Sequence, residues 1–473
     1  MSHQYLAIDL GAESGRAMLA DLSGHLLKLQ EVHRFPNVPV NLPTGLYWNT
    51  LALFQEMLAG LRAAARLTGR LESVAIDTWG VDFGLLGADG ALIDNPRHYR
   101  DARTVGLPEE MFATVSRAAI FAATGIQFME INSLYQLWAV QRQAPWLLAH
   151  ATALLFMPDL FNYFLCGTMA SERTIASTSQ FYDPARGCFA TELLAKLGIA
   201  GGFLAELVDP GQRLGALLPV VAEACGVSRD TPVYTTASHD TASAVAAVPA
   251  ESGSRWCYIS SGTWSLMGME LERPLIGKAS LEANFTNEVG VAGSIRFLKN
   301  IPGLWLLQEC RRAWAREGKE YSYDELIAMA RDTEPSGAVL ELEAFQAAGQ
   351  SAGRVMEYCR ATGQPVPGTP GAVCRVILHS LAVRYREVLG VLEELTGQRV
   401  DAIHIVGGGS RNRLLNQLTA DVTGRRVVAG PAEATAAGNA LVQALGAGQL
   451  GSLEELRQVV RESFAVEEFV PKG

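Results

Sequence analysis

Tyr5-Leu-Ala-Ile-Asp-Leu-Gly-Ala-Glu-Ser-Gly-Arg-Ala-Met-Leu-Ala20 holds two apolar runs around a turn of small residues, Ala12-Glu13-Ser14-Gly15. That pattern predicts a β-hairpin, with Gly24 in the next turn. The design returns at mid-chain, where Trp256-Cys-Tyr-Ile259 reads as a strand, Ser260-Ser-Gly-Thr263 as a small-residue loop and Trp264-Ser-Leu-Met-Gly-Met269 as a returning strand. Sliding one segment onto the other sets Ile8 on Ile259, Asp9 on Ser260 and Gly11 on Gly262, and leaves Ala12 facing Thr263. Turns of Gly and Ser let backbone N–H groups approach an anion closely. Arg16 adds positive charge, and Asp9 at a strand end is placed to hold magnesium through water. The bland alternative for the first segment is an ordinary tight hairpin. Its recurrence at half-chain length argues instead for two related lobes.

Outward from the hairpins, a chain of 473 residues exceeds what one hydrophobic core usually supports, so two domains are expected, with a cleft between them as the natural site. Val248-Pro-Ala-Glu-Ser-Gly-Ser254 is turn-rich, which puts the boundary near 245 to 255 and the domains at 1–247 and 248–473. Ser73-Val-Ala-Ile-Asp77 and Ala402-Ile-His-Ile-Val406 read as buried strands. Apolar residues at 377, 378, 381, 385, 388, 392 and 395 predict an amphipathic helix over Cys374 to Leu395. The class is α/β with mixed sheets.

A net charge of −10 argues against a general nucleic-acid binder, which needs a surplus of Lys and Arg. No basic region opens Met1 to Ala20, and no run of 18 apolar residues occurs, so neither a signal peptide nor a membrane span is expected and the chain reads as cytoplasmic. The seven cysteines are widely spaced and read as reduced core residues. Eight histidines include no pair at zinc-ligand spacing.

Nucleotide motifs narrow the chemistry. Gly277-Lys278 is followed by Ala279 and preceded by Glu272 where the first glycine of a P-loop would stand, so it is not a Walker motif. Val406-Gly-Gly-Gly-Ser-Arg-Asn412 leaves a strand and enters a helix, as a nucleotide-binding turn does, but Asn412 occupies the last glycine position of the dinucleotide fingerprint. Thr231 to Val248 reads as strand, polar loop and helix, with Asp240 and Thr241 at the helix start; the bland reading of Asp240 is a helix cap. Consecutive Ser238, His239 and Asp240 point in different directions and cannot form a hydrolase relay. An interlobe carboxylate suits a kinase, where a sugar hydroxyl needs a proton acceptor as it attacks the γ-phosphoryl group. Ile76-Asp-Thr-Trp-Gly-Val-Asp-Phe83 and His98-Tyr-Arg-Asp-Ala-Arg103 cluster aromatic, backbone and carboxylate groups of the kind sugar sites use, although a lone Trp79 is more often core.

These words, with Lys299-Asn-Ile-x-Gly-Leu-Trp-Leu-Leu-Gln308 and His404-Ile-Val-Gly-Gly-Gly409, resemble the FGGY family of carbohydrate kinases over essentially the whole chain. The resemblance implies two actin-like (ribonuclease-H-like) ATPase lobes with a cleft between them, the first binding sugar and carrying the first phosphate hairpin, the second binding nucleotide. It implies Asp240 as the proton acceptor; Ala12, Glu13, Ser14, Gly15, Arg16, Thr263, Gln308 and Gly408 as ATP contacts; Gly80, His239, Asp240, Thr241 and Asn300 as ketose contacts; and Asp9 near Mg2+. The expected reaction passes the γ-phosphoryl group of ATP to the 1-hydroxyl of L-rhamnulose in L-rhamnose degradation. The alternatives are L-fuculose or a related deoxyketose, and a catalytically silent sugar or nucleotide sensor. Glu13 stands where the family pattern has Ser, so only its backbone N–H is expected to serve a phosphate; Val289 stands where the pattern has Gly.

Overall fold

The computed structural model describes residues 2–345 and 349–472. The chain forms two compact units, and neither is a continuous stretch. The first comprises Met1–Pro249, Glu270–Phe297 and Ala434–Ser463; the second comprises Ala250–Met269, Leu298–Glu433 and Phe464–Gly473.

The first unit is built on a six-stranded sheet in the order Arg213–Ala216, Pro232–Tyr234, Ser73–Thr78, Ser2–Leu10, Ser14–Ser23, Leu26–Pro36. Ser2–Leu10 and Ser14–Ser23 form the expected antiparallel hairpin, while Ser73–Thr78 runs parallel to Ser2–Leu10 on its other side. Side chains alternate across a strand. Leu6, Ile8 and Leu10, with Val74 and Ile76, therefore pack on Leu53, Met57 and Leu61 of the helix Thr50–Leu67. Ala7, Asp9, Ala75 and Asp77 have the opposite parity and turn to the other face. There lies the helix Ala434–Gly446, whose Asn439 Nδ2 reaches the Asp77 carboxylate and the Ala75 carbonyl oxygen. A Cβ built on Gly438 of this helix would overlap the Ser243 carbonyl oxygen of the helix Asp240–Ala246, so glycine sets how closely the two backbones approach. Residues between Phe83 and Phe203 carry a further core around Leu134, Leu137, Phe156, Ile175 and Leu194.

The second sheet has seven strands in the order Thr286–Val289, Ile295–Pro302, Trp264–Leu271, Trp256–Ser261, Ala402–Val406, Arg426–Ala429, Glu467–Phe469. Trp256–Ser261 is antiparallel to Trp264–Leu271 on one side and parallel to Ala402–Val406 on the other, the neighbourhood that Ser2–Leu10 has in the first unit. The amphipathic helix spans Pro370–Thr396 and buries Ile377, Leu378, Leu381, Tyr385, Val388 and Leu392. Among the described residues all seven cysteines are free thiols, and no helix is long and apolar enough to cross a membrane.

Candidate active site

Register assembles the acidic site of the first unit. Asp9 and Asp77 are partners across the parallel pair Ser2–Leu10 and Ser73–Thr78, near the C-terminal ends of both strands. Beyond Pro232–Tyr234 the chain stays extended beside them: Thr78 N donates to the Ser238 carbonyl oxygen at 2.9 Å, and Thr78 bridges to His239. Asp240 follows at once, at the end of a third parallel path.

The three carboxylates are held differently. Asp9 Oδ2 accepts from Arg16 Nε at 2.9 Å and Nη2 at 2.8 Å, its antiparallel partner in the hairpin. Asp77 is fully buried; Oδ2 accepts from Asn439 Nδ2 at 2.6 Å, while Oδ1 has no partner among the described residues. Burial first, then the Asp9 charge, pushes the Asp77 carboxyl well above the usual carboxylate range against the Asn439 bond. Asp240 sits in the first turn of its helix, and His239, not Asp240, occupies the cap position. Asp240 Oδ1 accepts from Thr241 N at 2.5 Å and Thr241 Oγ1 at 3.1 Å, and His239 Nε2 lies 3.4 Å away. Oδ2 accepts no hydrogen bond among the described residues, so one oxygen is anchored and the other is open. Burial raises the Asp240 carboxyl and Asp9 adds to the rise; His239 and Thr241 oppose it, and with 30 % of the side chain exposed water opposes it too.

The loop that presents Asp240 is gripped from behind by groups the sequence did not flag. Glu172, fully buried, accepts from Ser238 N at 3.1 Å, Ile175 N at 3.1 Å, Thr174 N at 2.8 Å and Thr174 Oγ1 at 2.5 Å. Thr174 Oγ1 in turn accepts from His239 N at 3.2 Å. Burial pushes the Glu172 carboxyl up to about 7. These residues lie more than 60 positions before Asp240, with no motif to mark them.

Gly80 lies in the turn after Ser73–Thr78. A Cβ there would press on Thr178 at 3.3 Å, and the next residue, Val81, has φ of 71°, a strained conformation for a β-branched side chain. Ser133 Oγ bonds the Val81 carbonyl oxygen at 2.5 Å, and Thr178 Oγ1 accepts from Val81 N at 3.1 Å, which fixes the turn. Trp79 is buried, its ring 4.0 Å from that of Trp48, which also stacks on His98 at 4.1 Å. Asp82 is the hub: Oδ2 accepts from Trp48 Nε1 at 2.6 Å, Trp79 Nε1 at 3.0 Å and Tyr99 N at 3.2 Å, and Oδ1 from Gln136 Nε2 at 2.7 Å. Burial pushes its carboxyl up to about 6, with these donors opposing. His98, driven down to about 3 by burial, is neutral.

At the turn of the first hairpin, Glu13 and Ser14 are exposed. Asn37 N donates to the Glu13 carbonyl oxygen and Asn37 Nδ2 to that of Gly11, both at 3.0 Å, so both carbonyls are occupied by the residue that follows the strand Leu26–Pro36.

Thr263, Gln308, Gly408 and Asn300 belong to the second unit. Gly303 N and Trp305 N donate to the Thr263 carbonyl oxygen at 3.1 and 3.2 Å, and Leu304 N to that of Gly262 at 3.0 Å. This contact starts the helix Trp305–Arg316 on which Gln308 sits. Gly407 has φ of 81°, and a Cβ on Gly409 would overlap the Ser261 side chain, so the triple-glycine turn lies directly on the second hairpin; Gly408 faces open space. Asn300 lies in the strand Ile295–Pro302.

The N-terminal-domain pattern of the FGGY family of carbohydrate kinases matches residues 4–247, and the C-terminal-domain pattern matches residues 257–447. A rhamnulokinase of Bacteroides thetaiotaomicron is 43% identical over 474 aligned residues, covering 100% of this chain and 96% of that protein. A rhamnulokinase of Bacillus subtilis is 39% identical, covering 99% and 95%. Gluconate kinase from Lactobacillus acidophilus superposes with a TM-score of 0.82 at 13% identity, covering 100% of this chain and 94% of that one. Plasmodium falciparum glycerol kinase with ADP superposes at 0.79 and 15% identity, covering 100% and 94%; both likenesses concern the fold. With both domain patterns matched and full-length relatives near 40% identity, the chain belongs to the FGGY family of carbohydrate kinases.

Proposed function

We propose that the chain transfers the γ-phosphoryl group of ATP to the 1-hydroxyl of L-rhamnulose, giving L-rhamnulose 1-phosphate and ADP, in cytoplasmic L-rhamnose breakdown. The observation that carries the chemistry is Asp240: one oxygen is fixed by Thr241, the other is open, and both stand at the end of a parallel strand path beside Asp9 and Asp77. The names of the relatives support the choice of ketose.

In this reading Asp240 Oδ2 takes the proton of the attacking hydroxyl. The transition state of phosphoryl transfer is loose and proton removal late, so modest basicity suffices and positioning dominates. His239, Thr241, Gly80 and Asn300 orient the ketose; Ala12 to Arg16, Thr263, Gln308 and Gly408 hold ATP. Among the described residues no three His, Cys, Asp or Glu side chains form a ready-made metal cage. Magnesium bound to a nucleotide needs none, because it keeps several waters and takes only one or two carboxylates. The unpartnered Asp77 Oδ1 beside Asp9 fits that demand, because a cation there would oppose the burial and the Asp9 charge that raise the Asp77 carboxyl. Asp9 and Asp77 would hold the ion, which when bound shields the phosphate charge.

ADP release over a panel of ketoses, for wild type and Asp240→Asn, tests the proposal. L-Rhamnulose is the expected preferred acceptor, and Asp240→Asn is expected to lose roughly 10²- to 10⁴-fold in kcat. Near-normal turnover by a folded Asp240→Asn would remove the base assignment. Preference for L-fuculose would change the substrate, and ATP binding without turnover of any ketose would make the chain a sensor.

A further inference from the structure

One side of the His239 ring faces Asp240, and the other is occupied by two charged residues with no role so far. Arg296, on the strand Ile295–Pro302, is fully buried, and its Nη2 donates to His239 Nδ1 at 3.1 Å. The same nitrogen lies 3.0 Å from Glu288 Oε2, which is itself 3.2 Å from His239 Nδ1. Glu288 is buried in the strand Thr286–Val289. Burial alone would raise its carboxyl, but Arg296, then His239, hold it below the usual range, so the pair is ionised. Arg296 is fixed again by its Nε bond to the Val289 carbonyl oxygen at 3.2 Å, and Val289 N by Ser177 Oγ at 2.9 Å.

A guanidinium carries only donors. The ring nitrogen facing Arg296 is therefore an acceptor, which in a neutral imidazole puts the proton on Nε2, the nitrogen 3.4 Å from Asp240 Oδ1. We propose that Arg296, held by Glu288, is a positioning residue: it fixes His239 in the Nε2–H tautomer, which sets the positive side of the ring dipole 3.4 Å from Asp240 Oδ1 and leaves Oδ2 as the atom that receives the sugar proton. The inference rests on Asp240 being the base. Without the Arg296 donor, Nδ1 would carry the proton to Glu288, and Nε2 would present a lone pair to the Asp240 carboxylate. The base would then meet a repulsion in place of an attraction. Replacing Glu288 with Gln removes the counter-charge but keeps the donor, so the two variants are unequal in this arrangement. Were Glu288 the acceptor of an Nδ1–H, the order would reverse.

The test is steady-state ADP release with varied ketose for wild type, Arg296→Met, Arg296→Lys and Glu288→Gln, with thermal unfolding and ATP binding as checks on folding. Arg296→Met is expected to lose roughly tenfold to hundredfold in kcat, the usual loss when a partner orienting a functional imidazole is removed, with ketose KM within about threefold. Arg296→Lys, which keeps a donor, recovers part of the loss, and Glu288→Gln loses less than Arg296→Met. A folded Arg296→Met with wild-type kcat, or a Glu288→Gln worse than Arg296→Met, overturns the proposal. Should Arg296→Met not fold, ¹⁵N NMR of histidine-labelled wild type, with His239→Gln to assign the signal, reads the tautomer directly. Nε2–H supports the proposal and Nδ1–H overturns it. A wild type that turns over no ketose defeats the kinase reading instead, and leaves the tautomer measurement to decide this one.

Discussion

At the end of its hairpin strand in the first unit, Asp9 pairs with Arg16 on one side and Asp77 on the other; at the same place in the second unit, Ser260 pairs with Leu266 and Val406. The strand neighbourhoods are the same and the charges are not. The turns differ as well: the last pairs are Leu10 with Gly15 and Ser261 with Ser265, leaving four residues (11–14) in the first turn and three (262–264) in the second. Apolar alternation thus maintains the topology without help from these polar positions, and each unit is free to place its own chemistry at the strand ends. The first unit has placed acids there, while the second presents a neutral turn packed on glycines 303, 407 and 409.

The largest expected effect breaks this asymmetry from the acidic side. Asp9→Asn keeps the shape but removes the charge that faces Arg16 and Asp77, and is expected to lower turnover by roughly 10²- to 10³-fold, with a higher magnesium requirement. Ser260→Ala, its register counterpart, should stay within about threefold of wild type. Equal losses in the two variants, measured by ADP release across a magnesium titration, would show that the charge difference is incidental.

Next in size are the close glycine contacts. A Cβ on Gly438 meets the Ser243 carbonyl oxygen and carbon, backbone atoms that move only if a helix moves, whereas one on Gly409 meets first the Ser261 hydroxyl, which can rotate away, and then the Ser261 Cβ at 2.6 Å and carbonyl oxygen at 2.9 Å, which a shift of the strand must relieve. Gly438→Ala is therefore expected to lower unfolding stability by roughly 3 kcal/mol and Gly409→Ala by less, on the order of 1–2 kcal/mol. Urea denaturation compares the two, and the reverse order would mean that the helix contact yields more easily than the hairpin.

The hairpins, the strands Ser73–Thr78 and Ala402–Val406 and the long helix were legible because apolar periodicity is local. Asp240 was singled out through family words, although its own neighbourhood supported only a helix cap. The grip of Glu172 and Thr174, the Asn439 bond to Asp77 and the Arg296 and Glu288 pair were not. Each reaches across tens to hundreds of residues, the Arg296 and Glu288 pair by way of His239, and its worth lies in burial and hydrogen bonding that composition and spacing do not encode. The division into units was hidden for the same reason: the helix Ala434–Gly446 returns to the first unit, where Asn439 bonds Ala75 and Asp77 and Gln443 bonds Leu6 and Ser73, and nothing near residue 434 announces those partners.

The smallest expected effect concerns pH and separates the units again. In the first unit burial raises the carboxyls of Asp77, Asp82, Asp159, Glu172 and Asp240, whereas in the second the raised groups are thiols and phenols such as Cys257, Cys310, Cys374 and Tyr385. An acid whose folded pKa lies above its unfolded value binds more protons when folded. It stabilises fully below the unfolded value, and that stability is lost as pH rises through the folded value. For Asp82 the loss runs from the unfolded value up to about 6 and for Glu172 up to about 7, so the Glu172 loss extends into the neutral range. The thiols and phenols stay protonated there and contribute no slope. A carboxyl that stays protonated in the fold and ionises on unfolding lowers stability by about 1.4 kcal/mol for each rise of one in pH. Glu172 crosses from mostly protonated to mostly ionised between about pH 6 and pH 8, so it alone accounts for roughly 1 kcal/mol of lost stability over that interval. Urea denaturation of wild type and Glu172→Gln at both values checks this: the wild type should weaken with rising pH, and the variant, whatever its absolute stability, should show a slope shallower by that amount. An unchanged slope would mean that Glu172 already carries its charge at pH 6, and that its four donors outweigh its burial.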